Sequence, residues 1–157
     1  MDDRTLLAVC IADEAGDQPH EGKVAVGRVV MNRTRLQFES DGTIAGAILH
    51  HMQFSGFWCD FVDGRYTVVA HTLADAQTRA EQKLARYSTA PKLWLDCLLA
   101  ADQAMGVAPF AVGGPEYEKI TGQTVLYFAP DAVETPPVWA TQDKLDAVIF
   151  RHRFYHA

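Results

Sequence analysis

The sequence is organised around residues 13–33, which read DEAGDQPHEGKVAVGRVVMNR. The very apolar run 6–12 precedes this stretch and predicts a short buried helix, at whose end Glu14 stands beside two small residues. Burial disfavours the charged form of a carboxyl group and raises its pKa. Because a general acid needs a raised pKa near neutral pH, this stretch indicates a candidate catalytic acid.

Helical spacing places two acids at the edge of the same buried surface. Glu14 continues the stripe of Leu7 and Ile11, whereas Asp13 lies in register with Leu6. An acid at a helix end is ordinarily a solvated residue. Periodicity therefore leaves Asp13 and Glu14 as alternatives for the acid.

A second helix is predicted over residues 21–35, after Pro19 has interrupted the chain. The run is rich in β-branched residues, so a buried strand is the alternative. Its polar end offers Asn32, which could orient a substrate or Glu14. Arg33 is predicted as an internal ion-pair partner, with a substrate contact as the alternative.

The remaining elements follow from periodicity and turn residues. Three further helices are predicted over 44–50, about 67–87 and 91–105, and two strands over 123–128 and 147–155. The predicted buried faces of the two longer helices are Val69, Leu73, Ala76, Ala80, Leu84 and Tyr87, then Trp94, Leu98, Ala101 and Met105. We predict an irregular aromatic loop over 53–58, a turn at Asp63-Gly64 and a loop at Gly113. Pairing the strands as a small antiparallel sheet gives a helix-dominated α+β fold.

Length and composition restrict the class of protein. The 157 residues predict a single domain, 1–157, and 48% hydrophobic with 22% charged residues is typical of a globular chain. The net charge of -6 argues against a nucleic-acid partner and gives no electrostatic attraction to anionic polymers or membranes. Binding to any anionic polymer would then depend on neutral contacts or on a local basic patch.

No sequence pattern predicts a cofactor, a metal ion or a disulfide framework. Cys10, Cys59 and Cys97 form no C-x-x-C pair, and buried free thiols are expected. The six histidines have no acid at zinc-site spacing. A Cys/His peptidase, a P-loop and a dinucleotide fingerprint find no support in the motifs.

Several spaced blocks resemble the SleB/CwlJ-type cell-wall hydrolases, which are named for spore-cortex-lytic enzymes and also occur in bacteriophage lysis proteins. In chain order the matching positions are Glu14-Ala15-Gly16, Gly22, Val24-Ala25-Val26-Gly27, Val29-Val30, Asn32-Arg33, Thr43-Ile44, Gln53-Phe54-Ser55, Leu126-Tyr127-Phe128-Ala129-Pro130, Trp139 and the closing IFRHRFY at 149–155. The resemblance covers nearly the whole chain. The family usually has Glu where Asp17 stands and Asn where Ala129 stands. Many members carry Cys directly after Q-F-S, whereas here three residues stand between Ser55 and Cys59.

The resemblance implies a lysozyme-like fold in which one glutamate, here Glu14 rather than Asp13, cleaves the glycan strands of peptidoglycan. It also implies the residues that bind the strand, because aromatic faces pack on sugar rings and amides hydrogen-bond to hydroxyl groups. These candidates are Asn32, Gln53, Phe54, Ser55, Tyr127 and Trp139. The alternative for the aromatic members is a place in the core.

The expected reaction breaks the bond between N-acetylmuramic acid and N-acetylglucosamine. Glycoside hydrolysis ordinarily uses two carboxylates, and the resemblance supplies one. One acid suffices if the muramic C6 hydroxyl is the nucleophile, so we predict a lytic transglycosylase. The alternatives are a hydrolytic muramidase, with Asp17, Glu21 or Asp60 as the second acid, and a non-catalytic glycan-binding module.

The beginning of the chain bears on where the protein acts. It reads MDDRTLL, which has no basic region typical of a signal peptide, and no apolar run approaches a membrane span. We therefore expect a monomer that is made in the cytoplasm, does not insert stably into membranes and acts on the cell wall. If it is phage-encoded, the expected role is an endolysin released by a holin.

Overall fold

Helices form the larger part of the regular structure in the computed structural model, which describes residues 1–110 and 116–157. In those ranges the α-helices are α1 (Asp3–Ala15), α2 (His20–Leu36), α3 (Ile44–Ile48), α4 (Ser55–Trp58), α5 (Leu73–Tyr87) and α6 (Pro91–Ala104). The strands are β1 (Cys59–Val62), β2 (Arg65–Val68), β3 (Thr124–Phe128), β4 (Leu145–Ile149) and β5 (His152–His156). The predicted helix-dominated α+β class is confirmed. The loop predicted at Gly113 lies outside the described residues.

Helix α1 lies at the centre of the helical layer. Asp2 caps it by accepting the backbone N–H of Thr5 at 2.8 Å. All residues from 6 to 12 are buried, because α2, α3, α5 and α6 pack around them. A helix that is apolar on every side requires such an enclosure. The polar end of α1 therefore emerges from the core at its edge.

Residues 20–36 form the predicted second helix and not a buried strand. The β-branched residues are accommodated because tertiary packing against α1 and α6 outweighs their modest helix propensity. Gly27 allows the close approach expected of it. A Cβ atom at Gly27 would lie 2.7 Å from the Cβ of Ala104 and 3.2 Å from the Cδ1 of Ile11.

Helix α5 begins later than predicted, at Leu73, because Thr72 and Asp75 form a capping box there. Val69 lies outside the helix, and the side chain of Leu73 is 54% exposed. Only part of the predicted face is therefore buried, and Ala76 is its best example.

The buried face of α6 is rotated from the predicted one. Cys97, Ala100 and Ala104 are buried, whereas Trp94 and Leu98 keep part of their surface exposed. The small residues are buried because α6 packs closely against α1 and α2. Periodicity locates a helix more reliably than the exact centre of its buried face.

The region around residues 53–68 is more regular than predicted. A single helical turn, α4, occupies most of the predicted aromatic loop. The predicted turn lies at the tip of an antiparallel hairpin of β1 and β2. Asp63 and Gly64 have positive φ angles of 52° and 76°, as a two-residue hairpin turn requires.

The C-terminal sheet has three strands in the order β3-β5-β4, all antiparallel. The pairing predicted between 123–128 and the chain end is confirmed by β3 and β5, whereas the single strand predicted over 147–155 is wrong. The chain reverses at Phe150, whose φ is 51°, so the segment forms two strands. Tyr127 on β3 lies opposite Phe154 on β5.

All three cysteines are buried free thiols, as expected. Burial raises the pKa of Cys10 well above its ordinary value and that of Cys97 to about 11. Within residues 1–110 and 116–157, no helix combines the length and the apolar character that crossing a membrane requires.

Candidate active site

A cleft of about 670 Å³ opens at the C-terminal end of α1. One side consists of α4 and the β1–β2 hairpin, together with side chains of α5. The other side consists of β3, the segment after it, and the β4–β5 turn. We call this the Glu14 cleft, because the predicted catalytic acid is part of its lining.

Glu14 lies half-buried in the lining of the cleft, one residue before α1 ends. The Tyr127 hydroxyl donates a hydrogen bond to Glu14 Oε2 at 3.1 Å. Burial and the adjacent Asp13 carboxylate raise the pKa of Glu14 from 4.5 to about 7, although the Tyr127 hydrogen bond opposes the shift. Glu14 therefore holds a proton in the pH range where a general acid is useful.

Asp13 also lines the cleft but has a different environment. Its Oδ1 accepts hydrogen bonds from Lys83 Nζ and from the Tyr87 hydroxyl, each at 2.6 Å. Its other oxygen lies so close to Gly56 that a Cβ atom there would collide with it. Asp13 thus has a cationic partner and Glu14 a neutral one, so the structure gives different surroundings to two acids that periodicity left equivalent.

The loop after Glu14 is held by a buried lysine. Lys23 is 6% exposed, and its ammonium group donates to the carbonyl of Gln18 at 2.8 Å and pairs with Asp96 at 2.9 Å. Gln18 in turn accepts the backbone N–H of Arg151 at 3.3 Å. These contacts fix the path of the chain from the catalytic candidate to α2.

Two further carboxylates of the cleft are paired with arginines. Asp17 contacts Arg151 at 2.8 Å and Asp60 contacts Arg79 at 2.7 Å. Both acids remain more than half exposed at the side chain, 62% and 52%. Glu21, the third acid considered as a partner for Glu14, does not line the cleft.

The structure brings two of the predicted substrate-binding residues to the cleft. Tyr127 and Ser55 both belong to its lining. Tyr127 also packs in the core, with its ring centroid 6.4 Å from Phe54 and 5.7 Å from Phe154. Its hydroxyl end faces Glu14, so this aromatic residue belongs both to the core and to the cleft lining, and its contact with a sugar stays a prediction.

Asn32 does not line the cleft. It is 7% exposed, and its Nδ2 donates to the carbonyl oxygens of Thr121 at 2.9 Å and Thr124 at 2.8 Å. The side chain uses both of its amide protons in linking α2 to the start of β3. The structure therefore gives Asn32 an internal role in place of the predicted contact with the substrate.

Arg33, Gln53 and Phe54 form an internal group that also lies outside the cleft lining. Arg33 donates to the carbonyl of Val125 at 2.6 Å and to Gln53 Oε1 at 2.9 Å. The Phe54 ring is 2% exposed and lies 5.2 Å from the Arg33 guanidinium. The predicted ion pair of Arg33 is wrong, since its hydrogen-bond acceptors in the described ranges are neutral.

Trp139 lies on the outer side of the C-terminal sheet. Its ring packs against Tyr155, with centroids 5.4 Å apart, and against Phe128 at 5.8 Å. These rings belong to a second hydrophobic cluster that is separate from the main core. Trp139 covers this cluster and is not part of the cleft lining.

Sequence reasoning missed His152 as a cleft residue, although it lies inside the closing motif. The side chain is 6% exposed, lines the cleft and contacts the Tyr127 ring edge-on at 5.1 Å. Its Nδ1 is buried without a hydrogen-bond partner among the described residues. Burial lowers the pKa of His152, which favours the neutral ring.

Two aromatic residues of the β1–β2 hairpin were also missed. Phe61 and Tyr66 line the cleft and are exposed by 63% and 58%. The signal was present in the sequence, because an Asp-Gly pair between aromatic and β-branched residues is a strong hairpin pattern.

In the described part of the chain, no group of three or more His, Cys, Asp or Glu side chains could hold a metal ion.

Comparison with known families agrees with the geometry of the site. The model of the family described as Cell Wall Hydrolase matches residues 17–155, nearly the whole chain, and the chain belongs to this family. Membership identifies an enzyme that acts on peptidoglycan. The match begins three residues after Glu14, so the assignment of the acid depends on the cleft and on the resemblance of residues 14–16.

Searches of curated proteins and of solved structures found no match. The lysozyme-like form of the fold therefore stays a prediction.

Proposed function

We propose that this chain cleaves the β-1,4 bond between N-acetylmuramic acid and N-acetylglucosamine as a lytic transglycosylase, with Glu14 as the only acid and base. The observation that carries the proposal is the difference between Glu14 and the other carboxylates of the cleft. Asp13, Asp17 and Asp60 each form an ion pair in the described structure. Glu14 instead accepts a neutral hydrogen bond and has a pKa of about 7.

The reaction follows from this arrangement. Protonated Glu14 transfers its proton to the glycosidic oxygen as the bond from that oxygen to the muramic C1 breaks. The muramic C6 hydroxyl then attacks C1 and gives its proton to the Glu14 carboxylate. The products are a 1,6-anhydromuramic end and a free 4-hydroxyl on the departing sugar. The carboxyl group regains its proton, and no water is consumed.

The role of Glu14 is tested by Glu14→Gln in an assay that follows lysis of purified sacculi. Removal of the only proton donor should lower the rate by about three orders of magnitude or more. Glu81→Gln is a matched control, because Glu81 is exposed on α5 and does not line the cleft. Retained lysis by a folded Glu14→Gln protein would place the acid elsewhere.

A hydrolytic muramidase is the second candidate, and the presence of Asp17 and Asp60 in the same cleft favours it. Either carboxylate would have to leave its arginine and activate a water molecule. Digestion in water labelled with heavy oxygen distinguishes the two routes by mass spectrometry. Anhydro ends without label support the transglycosylase, whereas labelled reducing ends, lost on Asp60→Asn or Asp17→Asn, support the hydrolase.

A further inference from the structure

The β1–β2 hairpin presents two aromatic rings to solvent at the edge of the Glu14 cleft. Phe61 and Tyr66 are cross-strand partners in the register of the hairpin, and their ring centroids are 4.9 Å apart. Residues opposite each other on antiparallel strands point to the same face. The two rings therefore form one continuous apolar surface, which we call the Phe61–Tyr66 pair.

Folding of the chain does not account for this surface. Neither ring belongs to the two hydrophobic clusters of the described structure, and 63% of Phe61 and 58% of Tyr66 remain exposed. Val68, two residues after Tyr66 and so on the same face of the hairpin, extends the apolar surface with 43% of its area exposed. Single exposed apolar residues are common, but a contiguous exposed patch usually marks a binding surface.

The hairpin that carries the pair is anchored at its base. Arg79 on α5 donates to the carbonyl of Cys59 at 2.9 Å and to the Asp60 carboxylate at 2.7 Å. Directly after β2, the backbone N–H of Val69 donates to the carbonyl of Trp58 at 2.9 Å. An anchored pair loses little conformational freedom when a ligand packs on it, which favours binding.

We propose that the Phe61–Tyr66 pair is a stacking surface for sugar rings of the glycan strand, on the hairpin side of the Glu14 cleft. The proposal rests on the proposed function and adds the residues that hold the strand. Both rings line the same cleft as Glu14, so a strand at the acid passes within their reach. The axial C–H faces of pyranose rings are apolar and match aromatic surfaces.

Charge supports a neutral sugar surface as the occupant. The chain carries a net charge of -6, so attraction to an anionic wall polymer is not available from the whole molecule. Within the cleft, the cations Arg79, Lys83 and Arg151 are each paired with a carboxylate. Arg86 also lines the cleft, and its guanidinium lies 5.9 Å from the Tyr87 ring centroid. Most of the cationic lining is therefore neutralised within the chain, which favours a neutral sugar surface as the occupant.

The test measures binding in a protein that cannot cleave. Peptide-free glycan strands are titrated calorimetrically into Glu14→Gln, and into the same protein carrying Phe61→Ala with Tyr66→Ala. We expect the two alanine substitutions to raise the dissociation constant about tenfold or more, since each stacked ring contributes about a factor of three to ten in affinity. Leu95→Ala in the Glu14→Gln protein is the control, because Leu95 is exposed on α6 and does not line the cleft.

Equal affinity of the Glu14→Gln protein and its double-alanine variant would overturn the proposal, as would a tenfold loss in the Leu95→Ala control. Sedimentation of the Glu14→Gln protein gives a further outcome. A dimer that the two alanine substitutions dissociate, with glycan binding unchanged, would assign the pair to self-association and overturn the proposal. Circular dichroism checks that each variant is folded.

The failure of this inference can be told apart from the failure of the proposed function. If the wild type yields no cleaved glycan but the Phe61–Tyr66 pair still decides binding, the reaction fails and the stacking surface stands. If cleavage proceeds and the alanine variants bind and react like the wild type, only the stacking surface fails.

Discussion

At the scale of single residues, two adjacent acids have different properties because their neighbours differ. Lys83 and Tyr87 both donate hydrogen bonds to Asp13. Glu14 accepts a hydrogen bond from the Tyr127 hydroxyl, and both burial and the adjacent Asp13 raise its pKa. One carboxylate thereby raises the pKa of the next, as in other sites where two acids have separate roles.

The raised pKa of Glu14 predicts a stability difference that depends on pH. The unfolded chain releases this proton near pH 4.5 and the folded protein near pH 7, so the group lowers stability progressively between these values and fully above them. Glu14→Gln should therefore be more stable than the wild type above neutrality, by about 1–3 kcal/mol, with no gain at about pH 4. Urea unfolding of both proteins, above neutral pH and at about pH 4, measures this difference in stability. An equal gain at both pH values would contradict the raised pKa of Glu14.

Asp13→Asn tests the coupling between the two acids. Removing this negative charge lowers the pKa of Glu14, and the released ammonium group of Lys83 acts in the same direction. The proposed mechanism requires protonated Glu14, and so the basic limb of the pH–rate profile should move to lower pH. Tyr87→Phe, which removes one neutral contact and keeps the charge of Asp13, should leave that limb in place. If the basic limb of the Asp13→Asn profile lies at the same or a higher pH than in the wild type, Asp13 does not raise the pKa of Glu14.

At the scale of secondary-structure elements, the position of the acid depends on how closely the helices pack. Helix α2 approaches α6 at Gly27, where the neighbouring side chains leave no room for a methyl group. The helices α2 and α6 both contact α1, so their spacing determines how α1 is enclosed. Because Glu14 lies in the last turn of α1, a change in the spacing of the helices would shift Glu14 within the cleft.

Gly27→Ala is expected to destabilise the protein. Alanine gains up to about 1 kcal/mol of helix propensity, but the new Cβ at 2.7 Å from that of Ala104 forces the helices apart at a cost of about 1–3 kcal/mol beyond that gain. Chemical unfolding measures the difference. Arg28→Ala, at the next and exposed position of α2, should change stability by less than about 0.5 kcal/mol. A Gly27→Ala protein as stable as the wild type would show that the helices can move apart freely.

At the scale of the whole molecule, α2 and the C-terminal sheet are joined by buried polar contacts. Asn32 and Arg33 donate to carbonyl oxygens at the start of β3, which carries Tyr127 to the cleft. The two sides of the Glu14 cleft are thereby held in a fixed relation. Polar residues that sequence comparison places in a motif can thus serve the site from within the core.

Asn32→Ala should lower stability by about 1–3 kcal/mol, because the buried carbonyl oxygen of Thr124 and the partly buried one of Thr121 lose their donor. Glycan affinity of the folded variant should remain close to that of the wild type, since Asn32 does not line the cleft. Arg35→Ala is the matched control. Arg35 also donates to the carbonyl of Gly122, but it is exposed and its loss should cost less than about 1 kcal/mol. Lost glycan affinity at unchanged stability would restore Asn32 to the binding surface.

Much of the fold is readable from local patterns. The apolar run before Asp13 predicts a helix enclosed on all sides, and turn residues with alternation predict the sheet that carries Tyr127. Such patterns are local, because each reflects the burial of residues a few positions apart. They failed at Thr72 and Phe150, where a capping box and a reversal with positive φ decided the boundaries.

The sequence by itself determined the fold class, the enclosed first helix and an acid at its end. Only the tertiary structure gave Asp13 and Glu14 different partners, turned Asn32 inward and placed Phe61 in the lining of the same cleft as Glu14. The physical reason is that these outcomes depend on partners far along the chain. Tyr127 is 113 residues from Glu14, and Thr121 is 89 residues from Asn32. No periodicity encodes such a contact, since it exists only when the packed elements bring the two groups together.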